Sequence, residues 1–160
     1  MKQQSGFTLI ELIVVIVILG ILAATALPKF SNLAVDSRVA KMNGVAASLK
    51  GAATMAHGQT LAEQLNAASS VTLENGAVIN MAQYYPAATA SGIAAAIEGT
   101  GIVSAVGNGT QGAATDWIFY PDIGRIACFV SYTPAANATT PPVISTAAIA
   151  TSASAVVACQ

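Results

Sequence analysis

Residues 5–20 read SGFTLIELIVVIVILG, Ser5 to Gly20: an apolar run that holds one carboxylate, Glu11. No charge follows between Leu12 and Leu27. As a helix, Phe7 to Leu27 would measure about 31 Å at ~1.5 Å per residue, enough to span the hydrocarbon core of a bilayer. A charged side chain inside that core costs roughly 2.5–3.5 kcal/mol on the most lenient insertion scale. Glu11 therefore calls for a partner and a purpose.

Three fates of the segment compete. It is a secretory signal cut after Ala24-Thr25-Ala26, a permanent single-pass anchor, or a segment retained because the cut falls before it. Glu11 separates them. A signal or a plain anchor has no use for a buried carboxylate. A cut between Gly6 and Phe7 instead creates an α-ammonium at Phe7, four residues from Glu11, as a partner on the same chain or a neighbour.

From Gly6 to Phe30 the sequence GFTLIELIVVIVILGILAATALPKF resembles the N-terminus of type IV pilins and related prepilins. Their pattern is a short basic leader ending in Gly, then Phe, Thr, a leucine-type residue, an aliphatic and Glu. A six-residue leader with Lys2 as its positive charge resembles the a-type subclass. The resemblance implies that Gly6 is the last leader residue read by a prepilin peptidase and that Phe7 is the new, N-methylated terminus. It implies that Glu11 pairs with the Phe7 amine of an adjacent subunit and so sets register. It also implies that the helix between Gly20 and Pro28 loses regular structure on assembly, which suits a residue that lacks an N–H donor and clashes with the preceding turn.

Composition fits one membrane segment on a weakly charged body. The 160 residues are 54% hydrophobic and 8% charged, and much of the apolar excess beyond residue 27 is alanine, so a multi-span protein is excluded. A net charge of −1 leaves no basic footprint, and no specific nucleic-acid partner is expected. The two cysteines, Cys128 and Cys159, show no metal-ligand spacing. Beside an export-like N-terminus they read as one disulfide formed outside the cytoplasm, the alternative being two buried thiols. Closing that loop would stabilise the fold by ~3–4 kcal/mol in the chain-entropy model.

Beyond Pro28 the period stays helical. Val35, Met42, Leu49, Ala53 and Ala56 fall within a sector of about 60°, a stripe for packing on a sheet, with Lys29, Asp36 and Lys50 opposite. Arg38 lies near the stripe, its stem over the apolar surface with the head in water, or in contact with another subunit. Gly44, Gly51 and Gly58, seven apart, share one face: close helix–helix approach in a filament, or plain tolerance of glycine. A second helical piece is expected over Thr60–Ala68, a hairpin turn at Asn75-Gly76, and a short helix capped by Thr89 or Ser91 and ending near Glu98. YPAATASGIAAAIEG, around that last helix, also resembles the corresponding part of mannose-sensitive haemagglutinin-type pilins. The strongest strand signals are DWIFYP and RIACFVSYTP, joined tightly through Asp122-Ile123-Gly124, followed by an edge strand in PPVISTAAIA.

Chemistry-bearing patterns are few. GNGTQG, Gly107 to Gly112, matches a dinucleotide-binding loop in form, but a strand follows it where a helix N-terminus is needed, so it reads as a turn. His57 stands without acids or cysteines near it in sequence and reads as a helix-end residue. Asp116 and Asp122 either bracket a cation or serve as turn and cap residues. Asn108-Gly109-Thr110 and Asn137-Ala138-Thr139 fit the glycosylation sequon only as short patterns. No nucleophile–base–acid set is visible, and neither enzymatic activity nor a cofactor is expected.

The expected fold is α+β, with a long N-terminal helix from Phe7 to about Gly58, apolar in its first half and amphipathic in its second, packed on an antiparallel sheet of about four strands. Residues 1–6 form the leader, 7–58 the helix with 7–27 as its membrane and filament-core segment, and 59–160 the head. By resemblance Cys128 to Cys159 bounds the region that pilins expose and use for adhesion, receptor contact or subunit packing. The expected function is that of a major pilus subunit in adhesion or motility. Its partners are other copies of itself, a prepilin peptidase, the inner membrane, the assembly machinery and an unidentified surface receptor. The rivals are a pseudopilin of a type II secretion system, which commonly lacks the cysteine pair and carries a calcium loop, and a secreted binding domain released after Ala26.

Overall fold

The computed structural model describes residues 7–97, 101–149 and 159, and of residues 27–32 the backbone alone. Helix α1 runs Leu9–Ala62 and passes through two compact units, residues 1–36 and 37–160. In the first unit, Leu9–Ala26 is long and apolar enough to cross a membrane and none of it is buried. Gly20 and Pro28 both lie inside the unbroken helix.

Helix α1 starts two residues later than Phe7 because Thr8 caps it, and it ends four residues later than Gly58. Its stop is a left-handed residue, Gln64 at φ 53°, with the Leu65 amide donating back to the Thr60 carbonyl at 3.0 Å. That bond spans the last turn in the Schellman manner. The separate helix expected over Thr60–Ala68 is therefore the tail of α1 followed by turns.

The second unit is built on the predicted stripe of α1. Met42, Leu49, Ala53 and Ala56 are buried there, joined by Val45 and Thr60; Val35, the first residue of the stripe, belongs to the first unit and is buried as well. At its upper end Ala56 packs with Val71, Ile79 and Met81. Among the described residues seven strands form two antiparallel sheets, in place of the single sheet of about four strands expected. The smaller contains β1 (Ser70–Thr72), β2 (Val78–Ala82) and β3 (Tyr85–Pro86). The larger contains β4 (Val103–Val106), β5 (Trp117–Tyr120), β6 (Val130–Thr133) and β7 (Val143–Ser145), in that order. The β1–β2 turn falls at Asn75-Gly76, as its sequence predicts. Gly76 takes φ 84°, and the Asn75 side chain accepts from the Ala77 amide at 3.0 Å. In the larger sheet β6 starts only at Val130, because Arg125–Cys128 closes a turn in which the Cys128 amide donates to the Arg125 carbonyl.

The short helix expected to end near Glu98 does not form over the described residues. Residues 89–97 make successive four-residue turns, for example with the Gly92 amide donating to the Thr89 carbonyl and the Ala95 amide to the Gly92 carbonyl, both 3.1 Å. Tertiary pairing overrides the alanine-rich helix propensity. Ser91 is held by Asn80 of β2 through both its carbonyl (2.8 Å) and its hydroxyl (3.0 Å). Gly92 lies so close to Ala87 that a Cβ there would sit 2.1 Å from the Ala87 carbonyl oxygen.

Tyr132 joins the two sheets. It is wholly buried in β6, and its hydroxyl donates to the carbonyl of Pro86 in β3 at 2.7 Å. Burial pushes its phenol above the ordinary range, and the nearby Tyr85 phenol adds to the shift. A raised folded-state value means that stability is complete below the ordinary phenol pKa near ~10 and is lost as pH climbs past it. Tyr132→Phe should leave the Pro86 carbonyl unpaired and cost about 1–3 kcal/mol at neutral pH. Denaturant titrations at neutral and alkaline pH should show the wild type losing stability above about pH 10 and the variant losing less.

Candidate assembly site and head anchor

The N-terminus of α1 answers part of the question posed by Glu11. The Thr8 amide donates to Glu11 Oε2 at 2.9 Å and the Thr8 hydroxyl to the same oxygen at 2.7 Å. In return, the Glu11 amide donates to Thr8 Oγ1 at 3.4 Å. This is a reciprocal capping box, in which N-cap Thr8 and Glu11 satisfy donors that the first turn would otherwise leave open. The spacing Thr8-x-x-Glu11 directly before an apolar run is a signature legible in the sequence, and the resemblance-based reading of Glu11 passes over it.

Both bonds to the carboxylate land on Oε2, so Oε1 remains an open acceptor among the described residues. Phe7 is 93% exposed. With Ile10, Val14 and Val15 it lines a shallow depression whose polar member is Glu11. Gly6 lies outside the described residues. Gly20 has open space where a Cβ would stand, so no packing demands glycine there in the isolated chain.

In the second unit Cys128 and Cys159 form a disulfide, with Cα atoms 4.8 Å apart and both residues wholly buried. Arg38 does not face solvent alone. Its Nη1 donates to the Cys159 carbonyl at 3.0 Å, a contact 121 residues away in sequence. One turn on, Lys41 donates to the Gly101 carbonyl and, at 3.4 Å, to that of Pro121. Two cations of α1 thus hold the C-terminal cysteine and two loops of the larger sheet. No sequence pattern announces these bonds, since their acceptors are backbone carbonyls.

The remaining candidates fall into place as local structure. GNGTQG is the loop between β4 and β5, with Asn108 Oδ1 accepting from the Thr110 and Gln111 amides. Asp116 Oδ2 closes the end of that loop by accepting from the Ala113 amide at 2.9 Å. Asp122 caps the short 3-10 turn Ile123–Arg125 and pairs with Arg125 at 3.1 Å. Among the described residues no group of three or more His, Cys, Asp or Glu side chains comes together. His57 stands not at the end of α1 but within it, stacked on Tyr85.

Comparison with known proteins agrees with this geometry. The prokaryotic N-terminal methylation motif matches residues 1–27. A fimbrial protein of Eikenella corrodens is 36% identical over 126 residues, 74% of this chain and 82% of that one. The chain belongs to the type IV pilin family. The type IV major alpha-pilin of Moraxella bovis is 41% identical to this pilin over 75 residues, 47% of each chain. A type IV narrow pilus major component of Thermus thermophilus is 47% identical over 54 residues, 34% of this pilin and 47% of that chain. No solved structure matches it.

Thr8→Ala should remove the hydroxyl that both donates to Glu11 and accepts from its amide, loosening the first turn by about 1 kcal/mol. Hydrogen exchange on the detergent-solubilised pilin should show amides 11–13 exchanging about fivefold faster, with residues 42–56 unchanged.

Proposed function

We propose that this pilin is the major structural subunit of a type IV pilus, a surface filament serving attachment or motility. The observation that carries the reading is an uncovered apolar helix, Leu9–Ala26, whose one carboxylate keeps an open oxygen. A prepilin peptidase cuts between Gly6 and Phe7, and Phe7 is N-methylated. Residues 7–27 hold the unassembled subunit in the inner membrane and then enter the filament core with the help of the assembly machinery. Residues 59–160 form the outer head.

Glu11 sets the register. Thr8 already occupies Oε2, and Oε1 takes the Phe7 α-ammonium of a neighbouring copy. A carboxylate has about four acceptor sites, so the two roles do not compete. A misplaced neighbour leaves that charge unpaired in apolar surroundings, and wrong stagger is disfavoured. Identical subunits added by one repeated, non-closing contact make a fibre. The stretch Gly20–Pro28 is the part of α1 that melts on assembly, because Gly20 has weak helix propensity and Pro28 cannot donate to the Ala24 carbonyl. The disulfide-bounded region 128–159 favours a pilus subunit over a secretion-system pseudopilin.

The deciding experiment is the intact mass of protein sheared from the cell surface. A chain beginning at Phe7 with one added methyl group is expected; one beginning at Leu27 would overturn the reading and leave a secreted domain. Glu11→Val should be cleaved and inserted normally yet yield few filaments, and normal piliation would sink the register role. Gly6→Ser should accumulate in the membrane at full length.

A further inference from the structure

Strands β2 and β3 are joined by Gln83 and Tyr84 alone, given the pairing of Ala82 with Tyr85. Both connecting residues are left-handed, at φ 54° and 67°. Glycine, asparagine and aspartate suit such a turn; other residues are held there only where the surrounding structure fixes them. The turn brings the Tyr84 carbonyl within 2.8 Å of His57 Nδ1. It also lays the Tyr85 ring on the imidazole, with centroids 4.1 Å and planes 4° apart. A carbonyl can only accept, so Nδ1 carries the hydrogen and Nε2 is left as the acceptor of the neutral ring. No other element of the head uses that nitrogen among the described residues.

The stacked pair lines a groove of about 250 Å³ together with Lys50, Pro141, Pro142 and Ile144. The Lys50 side chain is exposed, and its ammonium has no hydrogen bond or ion pair among the described residues. The groove lies wholly within residues 37–160 and owes nothing to the filament segment. Its size is that of one ring, below the range of about 300–1,000 Å³ that drug-sized ligands occupy.

We propose that this groove binds a hexuronic acid unit, a pyranose ring carrying one carboxylate. Two proline rings, an isoleucine and a rigid aromatic stack supply flat apolar walls for the C–H face of the sugar. Lys50 pairs with the carboxylate, and His57 Nε2 accepts a hydrogen bond from a ring hydroxyl. The three features together select the class. A neutral sugar leaves Lys50 without a counter-charge, and an aromatic acid offers Nε2 no hydroxyl. The strained turn is the device that holds His57 and Tyr85 rigid, so little ordering accompanies binding.

The test is saturation-transfer NMR on the full-length pilin in detergent micelles, with galacturonate as probe and galactose and benzoate as comparators. Galacturonate should bind most tightly of the three. Lys50→Met, at an exposed position that leaves the fold intact, should weaken galacturonate on the order of fivefold and galactose not at all. His57→Phe keeps a ring on Tyr85 but removes the acceptor, and should weaken galacturonate while sparing benzoate. No transfer to millimolar galacturonate would overturn the proposal. So would equal binding of galactose or benzoate, or an unchanged affinity in Lys50→Met.

Discussion

One apolar stripe of α1 is the surface on which the head is assembled. Met42, Leu49, Ala53 and Ala56 bury themselves at helical spacing, and the β1–β2 hairpin closes over the upper part of that stripe. Burial alone is non-directional, and a stripe of alanine, methionine and leucine does not say where loops should sit. Arg38 and Lys41 supply the direction. Their side chains end on the carbonyls of Cys159, Gly101 and Pro121, so the helix that provides the core also positions the sheet loops and the disulfide-bonded Cys159.

The same helix meets a different constraint in its first unit. Along Leu9–Ala26 none of the apolar residues is buried, and the carboxylate among them must find donors. Thr8 provides two and takes one bond in return, so the charge is part of the helix's own beginning. A capped carboxylate is also a positioned one. Its second oxygen is held at a defined place three residues into the helix, which is what a contact between identical subunits requires. The capping role and the register role thus draw on one side chain without conflict.

The smaller sheet shows where local preference yields. Alanine-rich residues 93–97 would favour a helix, yet Asn80 takes the carbonyl and hydroxyl of Ser91, and the close approach of Gly92 to Ala87 folds the segment back. Next to it, Gln83 and Tyr84 accept an unfavourable backbone so that Tyr85 can lie on His57. Both departures come from tertiary contacts that outweigh a propensity of tenths of a kcal/mol per residue, roughly the spread among ordinary residues.

What could be read along the chain is what depends on near neighbours. The long helix, its membrane-length apolar start, the buried stripe, the Asn75-Gly76 turn and the β5 and β6 strands follow from periodicity and turn chemistry within a few residues. The Thr8–Glu11 capping box belongs to that group as well. The sequence also carried the family resemblance and an even pair of cysteines. Only the folded chain decided the division into two sheets, the run of α1 to Ala62, the carbonyl partners of Arg38 and Lys41, and the stacking of His57 on Tyr85. The hydrogen bonds of Arg38, Lys41 and His57 to the rest of the head join residues from 27 to 121 positions apart. Their acceptors are main-chain oxygens, and every residue has one, so no choice of side chain marks the partner in advance.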